Sequence, residues 1–149
     1  MAINKKEIYY NSLEAVDRRI EKYEKEMDMI KESMDANDVK TDYDEDNKGQ
    51  LLGDFEKYAK YLSQAQEMKE KLANLDLEHY SETVNFGSVV ETNTDLYFVA
   101  VPVGELLLKD GSKVYSISTE APIYQEMKDK KAGDSFSFND KKMEIKKVH

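Results

Sequence analysis

Apolar residues recur every three or four positions in the first half of the chain and every two in the second. Tyr9, Leu13, Val16, Ile20, Tyr23, Met27, Ile30 and Met34 form one stripe. Leu51, Phe55, Tyr58, Leu62, Ala65, Met68, Leu72 and Leu75 form another. Steps of three and four put each set on one helix face, and two stripes of matching length predict an antiparallel helical hairpin with a coiled-coil seam. At about 1.5 Å per residue, Tyr9 to Met34 spans roughly 40 Å. The three-three step Leu62, Ala65, Met68 makes the supercoil imperfect. Asn4 reads as the N-cap of the first helix, and Glu7 completes a capping-box pattern. Pairs such as Glu21 and Lys25 support the helix by a few tenths of a kcal/mol, while Tyr23 and Met27 read as seam packing.

From Gly87 the period becomes two. Ser88–Glu91, Leu96–Val101, Glu105–Leu108, Lys113–Ile117, Ser135–Phe138 and Lys142–Val148 are predicted strands. Asp110-Gly111 gives the stronger tight-hairpin signal and Asn139-Asp140 the weaker. Ala121–Lys128 reads as a short helix with Pro122 in its first turn, and Gly133-Asp134 turns the chain into the last hairpin. The predicted fold class is therefore α+β: a helical hairpin over residues 1–78, a linker over 79–85, and a β-rich domain over 86–149. That domain is expected as an antiparallel sheet carrying one helix. His79 in the linker and His149 stand alone, without Cys, Ser or metal-ligand neighbours, and are given no role.

Composition narrows the function classes. The chain has 149 residues, no cysteine and a net charge of −9. Disulfides and thiolate metal sites are thereby excluded, and a reducing cytoplasm is the expected location. No apolar run nears the roughly 20 residues of a membrane span, and the N-terminus lacks the apolar core of a signal peptide. Residues 1–80 hold 20 acids against 13 bases, and residues 81–149 hold 11 against 9. The late lysines, from Lys128 to Lys147, are interleaved with Asp129, Asp134, Asp140 and Glu144. They read as a solvated face, so direct sequence-specific nucleic-acid binding is not expected. The protein is expected to be a monomer.

The densest charge lies between the helices. Asp35 to Asp46 holds Asp35, Asp38, Asp42, Asp44, Glu45 and Asp46 against a single Lys40. Capping by Asp42 or Asp44, with acids favouring the positive end of the helix dipole, explains two or three of the six. The remainder repel one another with no core to gain, which points to use of the tip. Gly49 and Gly53 fall early in the second helix and weaken it locally, each by up to about 1 kcal/mol.

Ser116-Ile117-Ser118, Ala121-Pro122-Ile123 and Lys130-Lys131-Ala132-Gly133-Asp134, followed by Phe136-Ser137-Phe138 and Met143-Glu144-Ile145, give the resemblance its specific part. With the acid-tipped hairpin before them, the chain resembles the Gre transcript-cleavage factors of bacterial RNA polymerase over nearly its whole length. The resemblance implies an FKBP-like C-terminal domain docked at the polymerase secondary channel. It also implies a hairpin reaching the active site, where tip acids help hold a Mg²⁺ shared with the polymerase. The protein itself would be no enzyme and have no cofactor of its own. Asp38 and Asp42 are the candidates for that catalytic and metal role, with Asp44 and Glu45 second. The Gre tip runs Asp, hydrophobic, polar, Glu; Asp38-Val39-Lys40 matches the first three, and Thr41 stands where the Glu belongs. This departure favours a divergent, non-cleaving member that occupies the channel.

Three other readings compete. Asp42, Asp44 and Asp46 match the first, third and fifth ligands of a Ca²⁺-binding EF-hand loop, but Asn47 replaces its glycine and Gly53 its bidentate Glu. An FKBP-like fold invites a prolyl-isomerase reading, yet no aromatic pocket motif is visible in the sequence. The plainest reading is a coiled-coil protein-interaction module whose acidic loop keeps it soluble.

Overall fold

The computed structural model describes residues 3–36 and 44–149, the side chains of 44–47 excepted. Helices α1 (Lys5–Ala36) and α2 (Asp44–Ala73) are followed by strands β1 (Val89–Thr92), β2 (Leu96–Val99), β3 (Gly104–Leu107) and β4 (Lys113–Ile117). Helix α3 (Pro122–Met127), β5 (Ser135–Phe138) and β6 (Lys141–Val148) complete the chain. The architecture is α+β. By contact it divides into two compact units: Val16–Lys69, and Met1–Ala15 together with Glu70–His149.

In the first of these units α1 and α2 run antiparallel. Asp17 meets Lys69 at 2.8 Å, Tyr23 meets Tyr61 at 5.5 Å between ring centroids, and Met34 shares a groove with Leu52 and Phe55. Partner numbers fall along α2 as they rise along α1, as a hairpin requires. Every predicted seam residue described here is half-buried or better, and only Val16 and Ala65 are fully withdrawn from solvent among the unit's described residues. A two-helix seam has no second layer to close it, so partial burial is the physical limit. Tyr61, outside the predicted stripe, joins Tyr23 and Tyr58 in a three-ring cluster. Such pairs contribute about 0.5–1.5 kcal/mol each beyond area burial.

The second unit is built on a six-stranded sheet in the order β3-β4-β2-β1-β6-β5. The strands fall within a residue or two of the predicted ones. The expected all-antiparallel pairing is not what forms, because β2 and β4 run parallel in the register Leu96↔Val114 to Val99↔Ile117. The cause lies in Ala100–Val103. This link contains Pro102, which has no N–H to donate, and leads into Gly104 at φ +81°. It carries the chain two strand spacings across, so β4 turns back between β2 and β3. Asn139 and Asp140, at φ 52° and 62°, form a two-residue hairpin with Phe138 opposite Lys141. Two positive φ values are what a type I′ turn demands, so the weaker hairpin signal marks the tighter turn.

Both faces of the sheet are covered. Tyr97, Val99, Val90, Met143 and Ile145 pack with Tyr124 and Met127 of α3. On alternate positions Val89, Phe98, Val114 and Ser116 are also buried. The buried residues Ile8, Ser12 and Leu72 of the unit's helical parts, with Leu75 just past α2, supply further cover. Asn4 is the N-cap, its Oδ1 accepting the Glu7 N–H at 3.1 Å. The Glu7 carboxylate does not close the box but accepts the Lys109 N–H at 2.7 Å. Lys5 Nζ donates to the carbonyls of His79 and His149, and Asn11 donates to Leu107 O at 3.2 Å. Residues before β1 are held as well: the Val84 N–H donates to Lys130 O at 2.8 Å, and the Val84 carbonyl accepts the Asp129 N–H at 3.0 Å.

Candidate functional site

Two places carry candidate chemistry. At the hairpin, Asp38 and Asp42 lie outside the described residues. Asp44 and Glu45 open α2. Asp35 is exposed in the last turn of α1 and lines a groove with Lys31, Met34, Lys48, Leu52 and Phe55. Leu52 there is 51% exposed. The groove places apolar surface and both signs of charge beside the acid-rich stretch. The described residues hold no cluster of three or more His, Asp or Glu arranged to take a metal ion. None of the described helices is long and apolar enough to cross a membrane.

The second place was not legible in the sequence. Tyr97, Tyr115, Ile117, Ile123, Phe138 and Met143 line an open cleft of about 390 Å³ on the α3 face of the sheet. Asp95, Asn139 and Lys141 stand around it. The reason for the opening is length. Six helical residues span about 9 Å, whereas six strands at about 4.8 Å spacing extend well beyond that. So α3 covers only part of the face, and the cleft opens beside it, with Tyr97 still buried and Tyr115 partly buried.

Tyr97 and Tyr115 stand 5.9 Å apart between ring centroids, tilted by 36°. The Tyr97 hydroxyl reaches Asp95 Oδ2 at 3.5 Å and Met143 Sδ at 3.8 Å. Burial, helped by the Asp95 carboxylate, pushes the Tyr97 phenol up to about 12, so it remains a neutral donor. Asp95 itself is fixed by a tight turn, its N–H donating to Thr92 Oγ1 at 2.9 Å. Residues gathered from β2, β4, α3 and the β5–β6 hairpin thus form the aromatic pocket that no local motif announced. Its only hint in sequence is the period-two placement of Tyr97 with Val99 and of Tyr115 with Ile117.

Elsewhere the isolated histidines have structural partners. His79 Nε2 lies 3.0 Å from Asn85 Oδ1, and His149 Nε2 lies 3.3 Å from Glu91 Oε2. Burial lowers the Lys5 ammonium below its ordinary range, with Asp76 opposing.

The class these elements define is a helical hairpin followed by a small mixed sheet with one short helix. No protein-family model matches the chain, and no curated protein sequence matches it. Among solved structures the chain is similar to one described as the transcription factor Gfh1, at 17% identity over 95% of this chain and 92% of that one, with a TM-score of 0.35. It is similar also to Gfh1 of Thermus aquaticus, at 17% identity over 94% and 95% of the two chains, with a TM-score of 0.36. Overlaps this loose leave the architecture to rest on the element order and strand pairing above.

Proposed function

We propose that this protein is a transcription factor that binds bacterial RNA polymerase at its secondary channel and regulates initiation or elongation from there, as a divergent, non-cleaving relative of the Gre factors. The supporting observation is where the quoted segments fall. Ser116-Ile117 closes β4, Ala121-Pro122 opens α3, and Gly133, at φ +94°, donates its N–H to Ile145 O at 2.8 Å in the turn before β5. Two antiparallel helices flank the acid-dense segment. In this reading the sheet unit anchors on the polymerase and the hairpin carries the carboxylates, in the cytoplasm, with no enzymatic activity of its own.

Asp38 and Asp42, backed by Asp44 and Glu45, are the groups that would hold a Mg²⁺ shared with the polymerase. A donor set of carboxylate oxygens suits that hard cation, which takes one or two such ligands and keeps several waters. When bound, the ion would supply an activated water and stabilise the leaving oxygen. Thr41 in the Glu position weighs for regulation over cleavage.

The test is a pull-down from the protein's own cell extract, followed by RNA shortening in stalled, backtracked complexes. Polymerase subunits should be captured, and the wild type should not accelerate shortening. Asp38→Asn and Asp42→Asn should bind like the wild type. Cleavage that both Asn variants lose would establish the cleaving mechanism instead, and absence of polymerase from the capture would sink the proposal.

A further inference from the structure

The cleft beside α3 is lined by both signs of charge. Asp95, held by the β1–β2 turn, contributes a carboxylate to the lining. Asn139 and Lys141, at the β5–β6 turn, contribute an amide and an ammonium. Asp95 and Lys141 line one cleft yet form no ion pair with each other, and among the described residues Lys141 has no carboxylate within 4.0 Å. The apolar part of the lining includes Tyr115, Ile117, Phe138 and Met143. A cavity of about 390 Å³ is at the small end of ligand sites, which are mostly apolar with a few placed polar groups.

Each element limits the occupant. The apolar lining takes a hydrocarbon or aromatic side chain and gives no partner to a polar one, which would lose its water without compensation. The aromatic faces at its border also favour a nearby cation. Asp95 takes a cation, and Lys141 and Asn139 take an anion. A single small molecule meeting all three conditions is a zwitterion with an apolar side chain. We infer that this cleft binds a free apolar α-amino acid, with its ammonium at Asp95, its carboxylate at Lys141 and Asn139, and its side chain over Tyr115 and Phe138. The inference is independent of the transcription reading.

The experiment titrates the full chain with L-phenylalanine and L-leucine, followed by calorimetry and by the NMR shifts of cleft residues. Saturable binding is expected, with shifts at Tyr97, Tyr115 and Phe138. Ion pairs at a solvent-exposed mouth are worth up to about 1 kcal/mol, or about fivefold. Lys141→Gln should therefore weaken L-phenylalanine about three- to fivefold and leave phenethylamine, which lacks the carboxylate, unchanged. Asp95→Asn should weaken L-phenylalanine similarly and leave 3-phenylpropionate, which lacks the amine, unchanged. Lys141 is exposed, so the first variant does not depend on the core. Absence of saturable binding, or binding indifferent to both substitutions, overturns the assignment. So does preferential binding of an end-blocked prolyl peptide, which would make the cleft a peptide site.

Discussion

Phe98, Val89, Val99 and Val114 of the sheet unit have no solvent exposure, whereas Tyr23, Tyr58 and Leu62 of the hairpin remain half-buried. The two units belong to one chain, and the difference in burial is one of geometry. A sheet with cover on both faces removes whole side chains from water; two helices can bury only a seam. Hairpin stability must therefore draw on ring contacts and exposed pairs such as Asp17 and Lys69. Sheet stability rests on volume and shape, where each lost methylene is felt.

The largest expected effect tests the closed core. Phe98→Ala should destabilise the sheet unit by about 3–5 kcal/mol and Ile8→Ala by about 2–5 kcal/mol. In amide exchange, β1, β2 and β4 should lose protection first. An Ile8→Ala variant with unaltered exchange in the sheet would remove the first turns of α1 from that unit's core.

Tyr23→Ala, at the centre of the three-ring cluster, should cost about 1–3 kcal/mol, taken as two ring pairs, and its exchange signature should be confined to α1 and α2. A loss as large as that of Phe98 would erase the contrast between the units.

Gly53→Ala should move the hairpin in the other direction. A Cβ there meets nothing within 4 Å, and the position is inside α2, so a gain of about 0.5–1 kcal/mol is expected in thermal or chemical denaturation. A gain shows that the hairpin's distal part is held below its attainable stability; a loss would mean that the glycine serves a bend.

Alkaline titration reads the sheet unit through Tyr97. Tyr97 is pushed up to about 12 from 10.0, so between those values the folded state keeps a proton that the unfolded state releases. Its contribution is intact below pH 10 and falls as pH rises toward 12. Denaturation across this window should show sheet stability declining, and Tyr97→Phe should remove that part of the decline. The smallest effect is Lys69→Met, since the Lys69–Asp17 pair is about half exposed at both ends; a loss under about 1 kcal/mol is expected.

Periodicity carried much of this. The seam stripes, six strands and the Pro122 helix were legible because each is encoded locally. Pairing was not: nothing in the spacing of Leu96 or Val114 tells either strand that it will lie parallel to the other. Ile8 and Ser12 sit one position off the Tyr9 and Leu13 stripe, and their burial comes from packing within the sheet unit that the stripe did not encode. The Ser12 hydroxyl is left there with no partner among the described residues. The aromatic cleft was hidden because its residues are scattered from Asp95 to Met143. For the tip, the sequence supplied Asp38 and Asp42 as candidates, and both lie outside the described residues.

The strand order has a further consequence for how the sheet assembles. Read in adjacent pairs, β3-β4, β2-β1 and β6-β5 are three hairpins, each closed by a short loop. They are zipped by two joints, β4 with β2 and β1 with β6. Hairpins with loops that short form within microseconds. The β1–β6 joint must bring together segments from opposite ends of the unit, and long-range pairing of that kind sets folding rates. It is latched at its end by reciprocal bonds between Val89 and His149, at 3.0 and 2.8 Å. His149 thus acts as a clasp, and removing Val148 and His149 should slow closure of that joint far more than formation of any hairpin.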